Sequence, residues 1–323
     1  MGTRSFLRYN ENISKFLGIL RSSSDIVSGE TVAKELGITR SQVFKIVRKL
    51  QELGYRFERK RGYKLLFTPD IPFPWEIGQN IVFFNSIHST QDEAKKLFEA
   101  SKIKEDYWVL ARTQTKGRGR MGRIWESPEG NFYGSVVLKA ETPMRDIVKI
   151  SLIGGISVFR TIKKHYEIDQ EIKIKWPNDV WIILGDGKAR KISGCIAEAF
   201  GEMEIAKYII LGIGVNVKVS PIDGVSICLK DITKKEVSLI DFVRKLKNEL
   251  GTVWKEFSDG KWNQLKSEIE NNMWRGRVKI KYDSREFEGI SSGIAEDGSL
   301  LVQKDDATFE SVYYGDVLIK VIS

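Results

Sequence analysis

Residues 116–125 read Lys116-Gly117-Arg118-Gly119-Arg120-Met121-Gly122-Arg123-Ile124-Trp125, and how this run is read decides the fold. Its glycines satisfy G-x-G-x-x-G, which in a dinucleotide-binding fold follows a strand and opens a helix. Here Pro128, Glu129, Gly130 and Asn131 follow, and a strand-like run begins at Phe132. The glycines therefore belong to a loop between strands and not to a Rossmann turn. Glycine lets backbone approach a ligand, while Arg118, Arg120 and Arg123 carry forked donors suited to carboxylate or phosphate oxygens. The same composition also fits a solvated basic loop or a nucleic-acid contact, so other segments must decide.

A chain of 323 residues with 29% charged and 11% aromatic residues can bury real cores and divides into two or three domains. No apolar run approaches the roughly 20 residues of a membrane span, and Met1–Asn10 is too polar for a signal peptide, so a cytoplasmic address is expected. Cys195 and Cys228 lie far apart, and His88 and His165 are the two histidines, which supports neither a disulfide framework nor a zinc site. Any metal must take oxygen ligands. The net charge of +9 is concentrated: residues 1–66 hold 14 Lys/Arg and 6 Asp/Glu, and the remainder is nearly neutral. A small basic module on a neutral body points to a polyanion such as DNA as the module's partner.

Within that module Thr31–Leu36 has a helical pattern, Gly37 breaks it, and Thr39 with Gln42 forms a capping box for a second helix running to about Leu53. Val43, Ile46, Val47, Leu50 and Leu53 recur at helical spacing, leaving Arg40, Ser41, Gln42, Lys45 and Lys49 toward solvent. Tyr55–Leu66, with Arg59, Lys60 and Arg61 in its turn, reads as a two-stranded wing. The whole is a winged helix-turn-helix over 1–66, or else a small helical domain kept soluble by its charge. Pro69, Pro72 and Pro74 then make a stiff, non-helical linker over 67–74.

In the body, Ile81–Ile87 is a buried-strand pattern running into Ser89 and Thr90, and Gln91–Ser101 reads as a helix with Thr90 and Glu93 as its capping box. Hydroxyls and N–H groups at such a start suit a ligand carbonyl or urea, though a plain cap reads the same way. Trp108–Thr113 is a strand delivering Gln114 and the Arg/Gly loop. Phe132–Lys139 returns as a strand, and Arg145–Tyr166 is a long helix whose Gly154 and Gly155 mark close packing. Ile172–Lys175 is a short strand ending in Lys175-Trp176-Pro177-Asn178-Asp179. Lys175 is either a point charge aimed at a carboxylate–phosphate junction or a structural partner of Asp179. Lys191–Ala199 and Tyr208–Val217 are further strands, the second carrying Gly212-Ile213-Gly214-Val215-Asn216. No P-loop occurs. Ser238–Phe257 and Lys261–Met273 read as helices, with Trp254 and Trp262 as core. Alternating patterns over Arg277–Ile322, with turns at Asp297-Gly298 and Gly315-Asp316, describe a small all-β barrel carrying no motif of its own.

The order Ser89-Thr90, Gly-Arg-Gly-Arg-Met-Gly-Arg-Ile-Trp (117–125), Lys-Trp-Pro-Asn-Asp (175–179), Lys-Ile-Ser-Gly-Cys-Ile-Ala-Glu (191–198) and Gly-Ile-Gly-Val-Asn-Val (212–217) resembles biotin protein ligases over nearly the whole chain. With the N-terminal module included, it resembles the bifunctional kind that also represses biotin-synthesis genes. The resemblance implies an α+β multidomain protein: a winged helix-turn-helix over 1–66, a linker over 67–74, a class II synthetase-like α/β catalytic domain with a mixed sheet over 75–272, and an SH3-like small β-barrel over 273–323. It implies that biotin and ATP, with Mg2+, give biotinyl-5′-AMP, which a lysine of a biotin carboxyl carrier protein then attacks. Operator DNA and a homodimer are the further partners implied.

By this resemblance Ser89, Thr90, Gln91, Gln114, Arg118, Gly119, Arg120 and Lys175 contact biotin. Arg118, Arg120, Arg123, Trp125, Asn178 and Asn216 contact the nucleotide, and Lys175, Arg118 and Arg120 stabilise the reacting charge. Metal ligands are not specified. Two positions depart from the family pattern: Asp-Ser-Thr-Asn is His88-Ser89-Thr90-Gln91 here, and Met121 stands in the arginine pair after Gly119. The first bears on Gln91's contacts with biotin, the second on the adenylate loop. Two rivals remain open: a lipoate ligase of the same catalytic fold, and a regulator that senses biotin or its adenylate without labelling a carrier.

Overall fold

The computed structural model describes residues 6–202, 204–282 and 285–319, and the chain divides into two compact units between Phe83 and Phe84. The first unit comprises β1 (Leu7–Arg8), α1 (Glu11–Ser22), α2 (Gly29–Leu36), α3 (Arg40–Glu52), β2 (Arg56–Glu58), β3 (Lys64–Phe67), α4 (Pro74–Ile77) and the start of β4 (Ile81–Ile87). Each long helix is capped from the sequence. Asn10, Ser28 and Thr39 side chains accept from the N–H groups of Ile13, Thr31 and Gln42, and the Thr39–Gln42 capping box is present. Gly37, at φ 65°, closes α2 in the left-handed conformation a β-carbon disfavours.

Helix α1, which the sequence reading omits, buries Ile13, Phe16, Leu17 and Leu20 on one stripe. In α3, Val43, Val47 and Leu50 are buried while Ile46 is half-exposed. The expected linker is partly helical: Pro74 takes the first position of α4, where its missing N–H costs nothing. Next to it Glu76, 4% exposed, accepts from Arg21 at 2.7 and 3.0 Å and from the Tyr55 hydroxyl at 2.7 Å. Burial, reinforced by the Glu76 charge, pushes the Tyr55 phenol far up, so it stays a donor.

The second unit continues through α5 (Thr90–Glu99), β5 (Trp108–Gln114), β6 (Phe132–Pro143), α6 (Ile147–His165), β7 (Glu171–Lys175), β8 (Asp179–Ile183), β9 (Ala189–Glu202) and β10 (Ile205–Val215). Then come α7 (Leu229–Ile232), α8 (Leu239–Ser258), α9 (Trp262–Asn271), β11 (Gly276–Tyr282), β12 (Arg285–Ile294), β13 (Leu300–Gln303), β14 (Phe309–Val312) and β15 (Asp316–Ile319). The large sheet runs β4-β5-β6-β10-β9-β8-β7, with antiparallel pairing from β5 to β7. At the β4–β5 step the Thr115 N–H donates to Ile87 O and the Lys116 N–H to His88 O. Partners therefore advance together, as in a parallel pair joined by the crossover helix α5. The sheet is mixed. Strand β8 is an addition to the sequence reading, and α5 is capped by Ser89, one residue before the expected Thr90.

Helix α6 is buried from Ile150 to Ile162 because it lies against the sheet and against α8. Arg160 fixes it to the other helices: its guanidinium donates to Glu268 at 2.6 Å and to Glu256 at 2.9 Å. The C-terminal residues form a five-stranded antiparallel sheet in the order β14-β13-β12-β11-β15, and the end of the expected barrel, at Ile322, lies outside the described residues. Among the described residues no helix is long and apolar enough to cross a membrane.

The two helical glycines of α6 differ. A β-carbon on Gly154 would meet Cys195 Sγ at 2.8 Å, whereas one on Gly155 would find Ile174 at an ordinary 3.8 Å. Gly155→Ala is therefore expected to stabilise the second unit by about 1 kcal/mol through helix propensity. Gly154→Ala loses that gain to overpacking of about 1–3 kcal/mol. Urea unfolding of the full chain, followed through the second unit's transition, reads both.

Candidate functional site

Strand ends and the Arg/Gly loop enclose a cavity of about 160 Å³ in the second unit, floored by β9 and β10 and bordered by Gly315, Val317 and Leu318 of the C-terminal sheet and its preceding turn. At one end, α5 begins at Ser89, and its first turn meets Gln114 at the end of β5. Gln114 Oε1 accepts from the Thr90 N–H at 2.8 Å and its hydroxyl at 3.1 Å, while Gln114 Nε2 donates to Ser127 Oγ at 3.0 Å. Ser135 of β6 completes the network with bonds to Thr90 Oγ1 at 2.9 Å and Gln91 Oε1 at 3.0 Å. Such a satisfied set of hydroxyls and amides can orient a small polar ring without a charge. The glutamine at 91 uses its length: Nε2 donates to Ile210 O at 2.9 Å, and the side chain crosses Gly212, where a β-carbon would sit 2.6 Å from Gln91 Oε1. Its amide is thus engaged with β10 and Ser135.

The loop itself closes as a narrow hairpin. Trp125 N–H donates to Gly117 O at 2.9 Å and Gly119 N–H to Arg123 O at 2.7 Å, with a bridge between Arg118 and Ile124. Gly117 is obligatory, because a β-carbon there would lie 2.2 Å from Trp125 O. Met121 adopts φ 54°, a region costly for a side chain, and is 61% exposed. Arg123 reaches its sulfur at 3.9 Å.

Arg118 is gripped by carboxylates from two other elements, Asp92 of α5 at 2.5 Å and Glu198 of β9 at 2.6 Å. Burial works against its charge, but Glu198 and Asp92 outweigh it and raise its pKa. Arg120 donates to Asn178 Oδ1 at 3.2 Å and to Gly315 O at 3.3 Å, tying the loop to the β7–β8 turn and to the turn before β15.

Lys175 ends β7 with its ammonium 5.0 Å from the centre of the Trp181 ring. Asp179, offered in sequence as its structural partner, is its cross-strand neighbour on β8 and also pairs with Lys191 at 2.7 Å. Asn178 donates to Cys195 O at 2.7 Å, and Trp176 donates to Gly298 O at 2.9 Å, anchoring the turn to the C-terminal sheet. Of the sequence-expected ligase residues, Ser89, Thr90, Gln91, Gln114, Arg118, Gly119, Arg120, Arg123, Trp125, Lys175 and Asn178 all line the cavity. Asn216 does not: its amide donates to Lys191 O at 3.4 Å and its Oδ1 is buried without a partner.

In the first unit Arg40, Ser41, Arg59 and Arg61 border a separate cavity of about 540 Å³, together with Phe44 and Tyr63. Lys45 and Lys60 are exposed. Gln42 is occupied by the cap, accepting from the Thr39 N–H at 2.8 Å, and Lys49 lies over the Trp75 ring at 5.7 Å. Both side chains remain exposed.

Residues 83–216 match the biotin/lipoate A/B protein ligase family and residues 277–320 the biotin protein ligase C terminal domain. The chain carries both of these ligase-family domains. It is 31% identical to the bifunctional ligase/repressor BirA of Bacillus subtilis (strain 168) over 63% of its own length and 64% of that protein's. The alignment thus spans just under two thirds of that relative. It is 26% identical to the protein of the same name from Escherichia coli (strain K12), over 88% of this chain and 91% of the other. Among solved structures, the biotin protein ligase from Aquifex aeolicus in complex with biotin and ATP superposes with a TM-score of 0.61 at 26% identity, covering 74% of this chain and 97% of that one.

Several residues at the site escape sequence reasoning. Asp92 and Ser127 are ordinary polar residues until the fold places them, and Lys191 and Glu198, the two ends of the 191–198 motif, have no role that the sequence assigns. Ser135 had a signal, a hydroxyl inside the apolar run Phe132–Leu138. The C-terminal sheet, expected to carry no motif, supplies part of the cavity rim. Behind the floor Cys195 is fully buried, and burial, then the Asp179 charge, pushes its thiol far up; burial also raises Cys228. A raised thiol pKa leaves the unreactive neutral form below it. An aromatic disulfide reagent at pH 8 is therefore expected to modify neither cysteine in the native protein and both after denaturation, read by thiolate absorbance.

Proposed function

We propose that this protein is a biotin protein ligase, which joins biotin to AMP and passes it to a lysine of a biotin carboxyl carrier protein. The observation that carries this reading is the convergence of Arg118, Arg120 and Lys175 with the neutral Thr90–Gln114–Ser135 network in one cavity. The neutral network suits the urea-containing ring of biotin, and the cations suit a carboxylate meeting phosphate. In the first step a biotin carboxylate oxygen attacks the α-phosphorus of ATP and pyrophosphate leaves. In the second, the carrier's neutral lysine amine attacks the acyl carbon, AMP leaves, and the amine loses a proton to solvent as the amide forms. Negative charge at the junction is met by Lys175, Arg118 and Arg120, with Arg123 toward the outer phosphates. The hairpin loop and Trp125 keep water from the anhydride. The Aquifex relative, solved with biotin and ATP, supports both substrates here.

Mg2+ fits as an ion carried on the phosphates of ATP, since among the described residues no group of three or more His, Cys, Asp or Glu converges and the cavity offers mainly cations. When bound it would neutralise phosphate charge. The match to a biotin protein ligase C-terminal domain favours biotin over lipoate.

The first unit, in this proposal, is a winged helix-turn-helix and the C-terminal sheet an SH3-like barrel. The name shared by the Bacillus and Escherichia relatives supports a second role in repression, with Arg40, Ser41, Lys45, Arg59, Lys60 and Arg61 facing operator DNA. The adenylate orders the loop and thereby promotes dimerisation and DNA binding. A cytoplasmic setting, where ATP and carrier occur, completes the reading.

Incubation with biotin, MgATP and a carrier domain is expected to raise the carrier's mass by one biotinyl group, with lipoate giving none. Lys175→Ala should slow labelling by about 100-fold or more. A carrier left unlabelled while biotin still binds would turn the reading to the sensor. On non-specific duplex DNA, Lys45→Ala should lower the slope of log affinity against log salt by about one charge.

A further inference from the structure

The segment Lys191–Glu198 carries the family resemblance, yet the proposed chemistry gives its lysine no role. The structure surrounds Lys191 in a particular way. On β9 and β10, Gly194 and Gly214 are direct cross-strand partners, so the cavity floor has a patch without side chains. The Trp125 indole lies on that patch: a β-carbon on Gly214 would sit 2.6 Å from its Cε2 and Nε1, and one on Gly194 3.1 Å from its Cζ3. Lys191 Nζ stands 5.2 Å from the Trp125 ring centre and 2.7 Å from Asp179 Oδ1, and the lysine's end borders the same Gly194 position at 3.1 Å. Asp179 thus holds an ammonium against the aromatic ring that ends the Arg/Gly loop. A cation on an indole face is an attractive contact, strengthened where water is partly excluded.

We infer that Lys191 is a positioning residue that seats Trp125 on the Gly194–Gly214 floor and so holds the Arg118–Arg120 loop closed over the acyl-adenylate. The inference rests on the proposed ligase reading. Lys191 acts through Trp125: it governs how long the reactive intermediate is retained more than how fast it forms. The charge is what the ring needs, so arginine should serve in its place and an uncharged side chain of similar length should not. Gly214 acts on the same indole from beneath, so the two positions are coupled.

The test uses the full-length protein loaded with radiolabelled biotin and MgATP, then freed of excess substrate, with loss of bound biotinyl-AMP followed over time. Lys191→Met is expected to shorten the lifetime of the bound intermediate by about tenfold, with the rate of its formation and the thermal midpoint little changed. Lys191→Arg should restore it. Gly214→Ala should shorten it through the clash with the ring, and the double variant should lose little more than either single change. A Lys191→Met lifetime equal to that of wild type, or additive losses in the double variant, would overturn the inference. Failure of the wild-type protein to accumulate any biotinyl-AMP would instead overturn the ligase reading beneath it.

Discussion

The site depends on one buried amide. Asn178 is 9% exposed, and its backbone and side chain together bind three segments: its N–H donates to Lys175 O, its carbonyl accepts from the Cys195 N–H while its Nδ2 donates to Cys195 O, and its Oδ1 accepts from Arg120. The β7–β8 turn, the β9 floor and the Arg/Gly loop are therefore held in common register. Arg120 carries the linkage onward to Gly315 O, so the C-terminal sheet is joined to the same point. An amide is suited to this because it donates and accepts at once and brings no charge to a place already rich in cations. A carboxylate there would compete with the substrate for those cations.

Around that point, charge and shape are divided between elements. The sheet supplies flat floor through Gly194, Gly212 and Gly214, each directed at a particular side chain from elsewhere. The charges stand on segments that are themselves braced: Arg118 by Asp92 and Glu198, Lys191 by Asp179, Lys175 by the Trp181 ring. Long cationic side chains lose much freedom when fixed, and bracing them in advance removes that cost from substrate binding and from the reaction. The bracing carboxylates of Arg118 also sit where an anionic substrate would otherwise find an unopposed field.

Much of this was legible in the chain itself. The Arg/Gly loop, the lysine at a strand end and the Ser-Thr start of α5 could be read locally, because glycine, proline and capping residues act on their own neighbours. The braces were not legible. Arg118 and Glu198 stand 80 residues apart, and nothing local to either marks the pair. Gln91 shows the limit from the other side: its extra methylene looks like a departure until Gly212 opens the path to Ile210 O. The C-terminal segment offered only alternation: it borders the cavity with Gly315, Val317 and Leu318 and holds Trp176 and Arg120 through the carbonyls of Gly298 and Gly315, which carry no signature in residue type. In the first unit, the stripe of α1 is a plain helical pattern, and the Thr39–Gln42 capping box could be read from spacing alone.

The bond from Arg120 to Gly315 spans 195 residues. During synthesis the sheet, the loop and both lysines emerge well before the segment that borders the cavity on its last side. A nascent chain can thus fold the central sheet while its cavity still stands open to water. Completion of the rim waits for residues made long after the loop that they receive. A chain cut short before Gly315 would keep the strands of the large sheet and lose the carbonyl that receives Arg120 and one border of the cavity.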